Sequence, residues 1–484
     1  MKYTELKVIP MPKEVKGEVD GEFESVSVLP RVHTDSEKFK PYIETFSEYA
    51  EKLHGIKFDI SVGGIMLYSD PVLAKGEYRL ITDNGMVNLY AYDSDGATNA
   101  LSTVLQLIRP NKEGVEFPVV SIKDKPDCEY RSLMVDLARE WHKFENLLEY
   151  VDLCYLYKIK YLHLHFIDTQ SYTLPSDVFP GVSTVGRHYT KEEIKVLNEY
   201  ALARNIELIP EFEVPGHAAA MVNAYPELFA NTPCDAPASE VDPEAFKTEF
   251  ANNIICVGKP GVMDNIRKLM AEVMDMFPNS RYIHIGGDEA EINDWGNCKD
   301  CLRYMKEHRI NGVREIYTHF TKLATDMVLE MGRTPIVWEG FPKEGNETIS
   351  RDVLVIAWES YYHVAYDLVK EGFNIVNASW KPVYITPQIY WSAEDIMAWN
   401  IYSWSHWWEK SEAHLNPIHL APSNQVKGGM LCSWECTYDE EIEHIRENLA
   451  AVSERTWNIR RYAEDNQFRE KIEHILPMAK KFER

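Results

Sequence analysis

The chain of 484 residues contains no uninterrupted apolar run near the roughly 18 residues that a membrane-spanning helix needs, so no span is expected. Its opening, Met1-Lys-Tyr-Thr-Glu-Leu-Lys7, lacks the basic-then-apolar pattern of a secretory leader. Positive charge is scarce. Lys and Arg number 51 against 76 Asp and Glu, a net charge of −25. Nucleic acids and anionic membranes demand basic patches, so neither is an expected partner. An acidic surface keeps single molecules soluble, and no heptad or exposed apolar stripe calls for another chain; a monomer or dimer is expected. The eight cysteines lack the tightly spaced double pairing of a zinc ribbon. With no leader they read as reduced thiols of a cytoplasmic protein. Cys298-Lys-Asp-Cys301 stands apart. It could hold half a zinc site, with Cys234 and Cys256 as the other half; the alternative is two free thiols near a turn.

What is present is a rich apolar and aromatic complement: 45% hydrophobic residues, 12 Trp and 27 Tyr, enough for a large core and for flat stacking surfaces. A chain this long is expected to divide into domains. Residues 1–125 carry strand signals at 7–12, 78–82 and 87–92, and helical spacing at 37–53 and 96–108. They read as a small α+β domain, ended by the polar Lys123-Asp-Lys-Pro-Asp127.

Over 126–484 a short apolar strand, a polar or aromatic strand end and a helix recur. Strands are expected at 132–137, 161–167, 206–211, 282–285, 335–338, 353–358, 374–378 and 430–434. Helices are expected at 144–158, 191–204, 264–276, 315–331 and 440–457, with a C-terminal helical segment. Eight strands alternating with helices predict an α/β chain, a (β/α)₈ TIM barrel preceded by a small α+β domain. The long segments 230–251 and 403–426 fall where loops after strands would shape a rim.

In such a barrel the groups that act lie on the loops after the strands. The strand ends here offer Asp136 and Arg139; His163, His165 and Asp168; Glu211, Glu213 and His217; Asp288 and Glu289; Trp338-Glu339; Trp358-Glu359; Trp380 and Tyr384; and Trp434-Glu435. Arg281-Tyr-Ile-His-Ile-Gly-Gly-Asp-Glu-Ala290 is the most informative stretch, an apolar strand stopped by two glycines that presents two adjacent acids. Like charges raise each other's pKa, and one acid protonated beside one ionised is what general-acid chemistry at neutral pH needs. Acids between aromatic walls suit sugars, whose C–H faces stack on Trp and whose hydroxyls bond to Arg and carboxylates. His163 and His165, alternating on a buried strand, read as satisfied core histidines rather than ligands.

Four stretches together resemble glycoside hydrolase family 20, the β-N-acetylhexosaminidases: Arg131-Ser-Leu-Met-Val-Asp-Leu-Ala-Arg139, His163-Leu-His-Phe-Ile-Asp-Thr-Gln170, Ile209-Pro-Glu-Phe-Glu-Val-Pro-Gly-His217 and His284-Ile-Gly-Gly-Asp-Glu289. The resemblance spans nearly the whole chain. It implies an exo-acting, retaining hydrolase of terminal β-linked GlcNAc or GalNAc, on an oligosaccharide or glycoconjugate, with no cofactor and no metal at the catalytic site. The family uses substrate assistance, in which the 2-acetamido oxygen attacks C1 and forms an oxazolinium ion. By resemblance Glu289 is the general acid and base, Asp288 holds the acetamido N–H, and Asp168 and His217 form a relay to Glu289. Tyr384 bonds the acetamido oxygen, Trp338, Trp358 and Trp434 wall the pocket, and Arg139 holds ring hydroxyls.

Four departures from the family pattern stand out. Thr169 replaces a second acid, and Glu213 a shorter Asp. Tyr384-Ile-Thr386 loses a carboxylate, and Trp434-Glu-Cys436 lacks the glutamate expected at its end. Glu435 could stand in, although strand alternation should turn it the other way. These changes predict a sugar preference shifted toward GalNAc or a 6-substituted residue. Two other readings are a sugar-binding protein without activity and a metal-dependent barrel hydrolase using His163 and His165.

Overall fold

The computed structural model describes residues 6–19, 22–111, 114–234, 253–460 and 465–484. Residues 1–5 of the leader reading and 235–251 of the rim segment lie outside the described residues.

The first module centres on a seven-stranded mixed sheet in the order Glu14–Lys16, Ser121–Asp124, Tyr78–Asp83, Met86–Ala91, Ile65–Ser69, Arg31–Thr34 and Asp59–Ile60. Tyr78–Asp83 and Met86–Ala91 pair antiparallel, with Leu80 opposite Leu89. Their alternation buries Tyr78, Leu80 and Thr82 on one strand and Val87, Leu89 and Ala91 on the other. That face is covered by α1 (Lys40–His54) and α2 (Ser94–Leu107). Asp93 starts α2 by accepting from the Gly96 N–H at 2.9 Å. The strand expected at 7–12 does not form. Ile9 instead exchanges both backbone hydrogen bonds with the Gln106 side-chain amide, each at 2.8 Å, which satisfies the buried backbone without a sheet partner.

The barrel strands are β1 (Tyr130–Asp136), β2 (Tyr161–His165), β3 (Glu207–Glu211), β4 (Tyr282–His284), β5 (Thr334–Trp338), β6 (Leu354–Ala357), β7 (Asn374–Asn377) and β8 (Val426–Ser433). Each pairs in parallel with the next, and β8 pairs with β1, which closes the cylinder. All eight expected strands form. Several end one or two residues earlier than expected, because Leu137, Ile167, Trp358 and Trp434 already lie in the loops above the ladder. The register sets Asp136 beside His165, His165 beside Glu211, and Glu211 beside His284, so four polar residues meet at one level of an otherwise apolar interior.

Long helices follow β1, β2, β3, β4 and β8: α3 (Phe144–Leu156), α4 (Lys191–Ala203), α5 (Val262–Met276), α6 (Val313–Glu330) and α7 (Tyr438–Trp457). Thr190 and Glu193 form a capping box at the start of α4. After β5 there is only a 3₁₀ turn at Asn346–Thr348, and after β6 only the short Ala365–Lys370, so the chain returns quickly to the cylinder there. The C-terminal segment ends in the helix Asp465–Lys480. No described helix is long and apolar enough to cross a membrane.

The first module docks through polar anchors. Trp457 Nε1 donates to Asp124 Oδ1 at 2.9 Å, and Gln106 Nε2 to the Leu156 carbonyl at 2.9 Å. Inside the barrel wall, α3 and α7 are tied by a buried ion pair, Arg446 Nη2 to Glu149 Oε1 at 2.6 Å, with the Tyr438 hydroxyl donating to Glu149 at 2.6 Å. Removing one member of such a pair strands a charge in the interior. Glu149→Ala is expected to cost about 3–5 kcal/mol of stability in urea unfolding, and Glu149→Leu with Arg446→Met to recover most of it.

Candidate active site

Glu211, wholly buried at the end of β3, organises the floor of the site. Trp338 Nε1 donates to its Oε1 at 2.6 Å. His163 Nε2 and His165 Nδ1 lie 3.0 and 2.5 Å from its Oε2, and His284 Nδ1 lies 2.9 Å from Oε1. Burial would push this carboxyl up, but the three imidazoles hold it well below the usual range. His163 is the core histidine expected; burial lowers it to about 4. His165 is buried too, yet Glu211 and Asp168 outweigh that burial and raise it to about 10. His163 Nε2 and both ring nitrogens of His165 are thus engaged with Glu211 and Asp168, while His163 Nδ1 is buried without a partner.

From Glu211 a chain of contacts climbs to the rim. His165 Nε2 meets Asp168 Oδ2 at 2.9 Å, and Asp168 Oδ1 meets His217 Nδ1 at 3.3 Å. His217 Nε2 lies 3.4 Å from Glu289 Oε2. Arg139 braces the same chain, at 2.9 Å from Asp168 and 3.3 Å from Asp136, with its guanidinium 5.0 Å over the Trp434 ring. Burial would push Asp168 up, but Arg139 and His217 hold it well below the usual range. Burial also works against charge on His217, but Asp168 and Glu289 raise it well above an ordinary imidazole.

The adjacent acids separate because the backbone turns between them. Glu289 has φ +43°, so the strand alternation stops at Asp288. Asp288 is buried, whereas the Glu289 side chain is 47% exposed at the rim. Gly286 has φ +68° and sits against the Glu213 carboxylate, where any Cβ would fall 1.8 Å from an oxygen. Burial pushes the Asp288 carboxyl up to about 7. Glu289 is also partly desolvated, but the imidazole of His217, 3.4 Å away, holds it below its ordinary value. The pair therefore splits as the sequence predicts, but in the opposite sense. In the open site the proton that an acid at position 289 would need rests on His217.

Below Glu289 lies a cavity of about 480 Å³, the size of a small-molecule site. Arg139, Asp288, Trp338, Trp358, Tyr384, Trp434 and Glu435 all line it, and Asp168 and His217 stand behind Glu289. Trp338 meets Trp434 at a centroid distance of 5.6 Å and Trp358 at 6.3 Å, and Tyr384 stacks on Trp380 at 4.6 Å. The Tyr384 hydroxyl and Asp288 Oδ1 are buried without a hydrogen-bond partner in the protein. A second cavity of about 1050 Å³ opens on the other side, and Arg139, Glu289, Tyr362, Pro387 and Glu435 line both.

Glu435 corrects the expectation that alternation turns it away. It lies beyond the end of β8 with φ +58°, and its Oε1 is 3.8 Å from Arg139 Nε. Cys436 is buried outside the cavity; Thr386 lines it, with its hydroxyl engaged in a turn with Ile389. Glu339 also stays out of the cavity, and its carboxylate accepts from the backbone N–H groups of Ser360 and Tyr361, each at 2.9 Å. Glu359 and Trp380, named at the strand ends, also line the cavity, and the residues that sequence reasoning left outside it are Tyr362, His406, Trp407 and Trp408. The run Trp404-Ser-His-Trp-Trp408 was the available signal. Burial raises Glu359 to about 9, so it enters the cavity as a neutral acid.

The fold and site together are those of a barrel of the glycoside-hydrolase kind. A model of the glycosyl hydrolase family 20 catalytic domain matches residues 128–460, and the family's domain 2 matches 5–125. The chain belongs to glycosyl hydrolase family 20. It is 28% identical over 341 residues to a β-hexosaminidase of Vibrio furnissii, covering 66% of this chain and 54% of that protein. It is 31% identical over 351 residues to one of Akkermansia muciniphila, covering 67% and 68%. The chain thus spans about half the length of the first relative. A family 20 exo-β-N-acetylglucosaminidase from Vibrio harveyi, solved with N-acetylglucosamine, shares the fold, with a TM-score of 0.83 at 21% identity. That match covers 98% of this chain and 77% of the solved one.

The raised carboxyl at Asp288 has a stability consequence. A group that holds its proton more tightly when folded contributes fully below its unfolded pKa of about 4. That contribution is lost as pH climbs through the folded value of about 7. Asp288→Asn removes this dependence. Its melting temperature is expected to gain on the wild type between those two pH values and to hold level above them. Parallel melting curves across that range would show an ordinary carboxyl.

Proposed function

We propose that the protein is an exo-acting, retaining β-N-acetylhexosaminidase that works by substrate assistance. The observation that carries this reading is the pair of unpartnered buried groups at the cavity floor. The Tyr384 hydroxyl can donate, and Asp288 Oδ1 can accept. An acetamido group needs both, a donor for its carbonyl and an acceptor for its N–H. Held between them, with its methyl among Trp338, Trp358 and Trp434, the carbonyl oxygen attacks C1. The C1–O bond to the leaving group breaks as Glu289 protonates the departing oxygen. Asp288, whose carboxyl at about 7 can give its proton to solvent near neutrality, steadies the positive oxazolinium in its ionised form. Glu289, now a carboxylate, takes a proton from water, whose oxygen adds to C1 and reopens the ring with net retention.

The relay supplies the proton that the open-site electrostatics withhold from Glu289. His217 and Glu289 are 3.4 Å apart, so a proton passing from Nε2 to Oε2 converts an ion pair into a neutral acid and a neutral imidazole. Entry of a sugar excludes water and favours that neutral form. Glu289 borders both cavities, which suits one enclosed sugar on one side and a leaving group on the other. Arg139 and Glu435 face the sugar hydroxyls. With Cys436 outside the cavity and the Thr386 hydroxyl tied to Ile389, neither supplies the carboxylate that the family pattern has there, and the preference shifts toward GalNAc or a 6-substituted sugar. The eight free thiols suit a reducing compartment such as the cytoplasm.

Paired chromogenic β-GlcNAc and β-GalNAc substrates test this reading. The wild type is expected to release chromophore. Glu289→Gln is expected to lose about 10²–10⁴ in kcat and Tyr384→Phe about 10²–10³. Equal cleavage of the two sugars, with no gain from a C6 substituent, would refute the shifted preference. Tight binding of a GlcNAc thiazoline without any turnover would mark a sugar-binding protein instead.

A further inference from the structure

Away from this site, three thiols meet in the loops beside it. Cys256 Sγ lies 3.5 Å from Cys298 Sγ and 3.6 Å from Cys301 Sγ, and all three residues are wholly buried. Sulfurs around one tetrahedral zinc, each at about 2.3 Å from the metal, stand about 3.8 Å apart. A disulfide needs about 2.05 Å and would leave the third thiol over. The surroundings also favour sulfur that carries charge, since the Thr232 N–H donates to Cys298 Sγ at 3.2 Å. Gly258 packs so closely on the start of the helix Lys299–His308 that a Cβ there would lie 2.6 Å from Cys301 N. The two Cys-bearing segments therefore meet at backbone contact.

A fourth cysteine, Cys234, lies on the segment that bridges Cys298, outside the three-thiol cluster itself. Pro233 forms an antiparallel bridge with Cys298, and the Cys234 N–H donates to the Asn297 carbonyl at 2.7 Å. The Cys234 thiol is exposed and stands one residue from that bridge. We propose that Cys234, Cys256, Cys298 and Cys301 bind one structural Zn²⁺, a site separate from the sugar cavity. Four thiols deprotonate on binding and release their protons to solvent. The metal would clamp the loop after β3 to the loop after β4. These loops carry His217 and Glu289, and they already touch where Trp295 Nε1 donates to the Ile255 carbonyl at 2.9 Å. Asn253, three residues before Cys256, accepts from the Ala218 N–H at 3.1 Å and from the Thr169 hydroxyl at 2.6 Å. The clamp thus reaches the flank of the relay without touching the reacting atoms.

Elemental analysis of the intact chain, purified in reductant from zinc-replete cells without a metal-affinity column, tests the proposal. One zinc per chain is expected. Exchange with Co²⁺ should give the intense near-ultraviolet charge-transfer band of thiolate ligation. Loss of a ligand should weaken binding by more than the about tenfold typical of outer partners. Cys298→Ser and Cys234→Ser, in competition with a chromophoric chelator, should each show it. Because the Cys234 thiol is exposed, Cys234→Ser should still fold. Unchanged affinity in Cys234→Ser would overturn the four-thiolate site. Wild-type protein carrying iron, or no metal with all thiols alkylatable, would overturn the zinc assignment. A mass lowered by one disulfide would overturn it too.

Discussion

Everything at the mouth of this barrel rests on one ionised carboxylate in its interior. Burying Glu211 costs several kcal/mol unless opposite charge and hydrogen bonds offset it. The offset comes from His163, His165, His284 and the Trp338 indole, drawn from three different strands. Each partner is thereby fixed in orientation. Trp338 is held with its edge on Glu211 and its face on the cavity. His165 is held with its far nitrogen on Asp168, and through Asp168 the constraint passes to Arg139, His217 and Glu289. Contacts inside such a cluster reinforce one another, and here they carry placement outward even though His163 Nδ1 and His284 Nε2 keep no partner.

The rim is built by a different device. His217, Glu289, Ser360 and Glu435 all adopt left-handed backbone conformations just past the ends of β3, β4, β6 and β8. Non-glycine residues take that conformation at a cost of about 1 kcal/mol or more. At His217, Glu289 and Glu435 the turn breaks the strand alternation where a polar side chain comes to line a cavity. The same turn separates Asp288 from Glu289, leaving one acid dry and the other half in water. Their proton affinities then move apart for different reasons: desolvation raises Asp288, and an imidazolium lowers Glu289. The thiol cluster joins the loops that carry two of these turns, so metal binding there would stiffen the segments bearing His217 and Glu289.

The barrel was legible in the sequence because its strands are short apolar runs set between amphipathic helices, and burial on both faces of a parallel sheet leaves that pattern. The site was legible for a related reason, since acids, arginine and tryptophans gather at strand ends where a packed core has no use for them. Three features were not. Residues 7–12 look like a strand, but their backbone is satisfied by the Gln106 side chain 97 residues away. Trp407 and Trp408 reach the cavity from a long loop, whose course no local periodicity encodes. Glu435 turns inward through a positive φ that alternation arguments cannot anticipate.

The sequence by itself determined the order of strands and helices, the family and the chemical kinds of residue gathered at the strand ends, because hydrophobic period and residue type are local properties of the chain. Tertiary structure decided which of two adjacent acids holds a proton near neutrality. It also decided that Glu435 rather than Cys436 lines the cavity, and that cysteines 42 and 45 residues apart share one point. Those outcomes depend on desolvation and on through-space contact between distant segments, and neither exists until the cylinder closes.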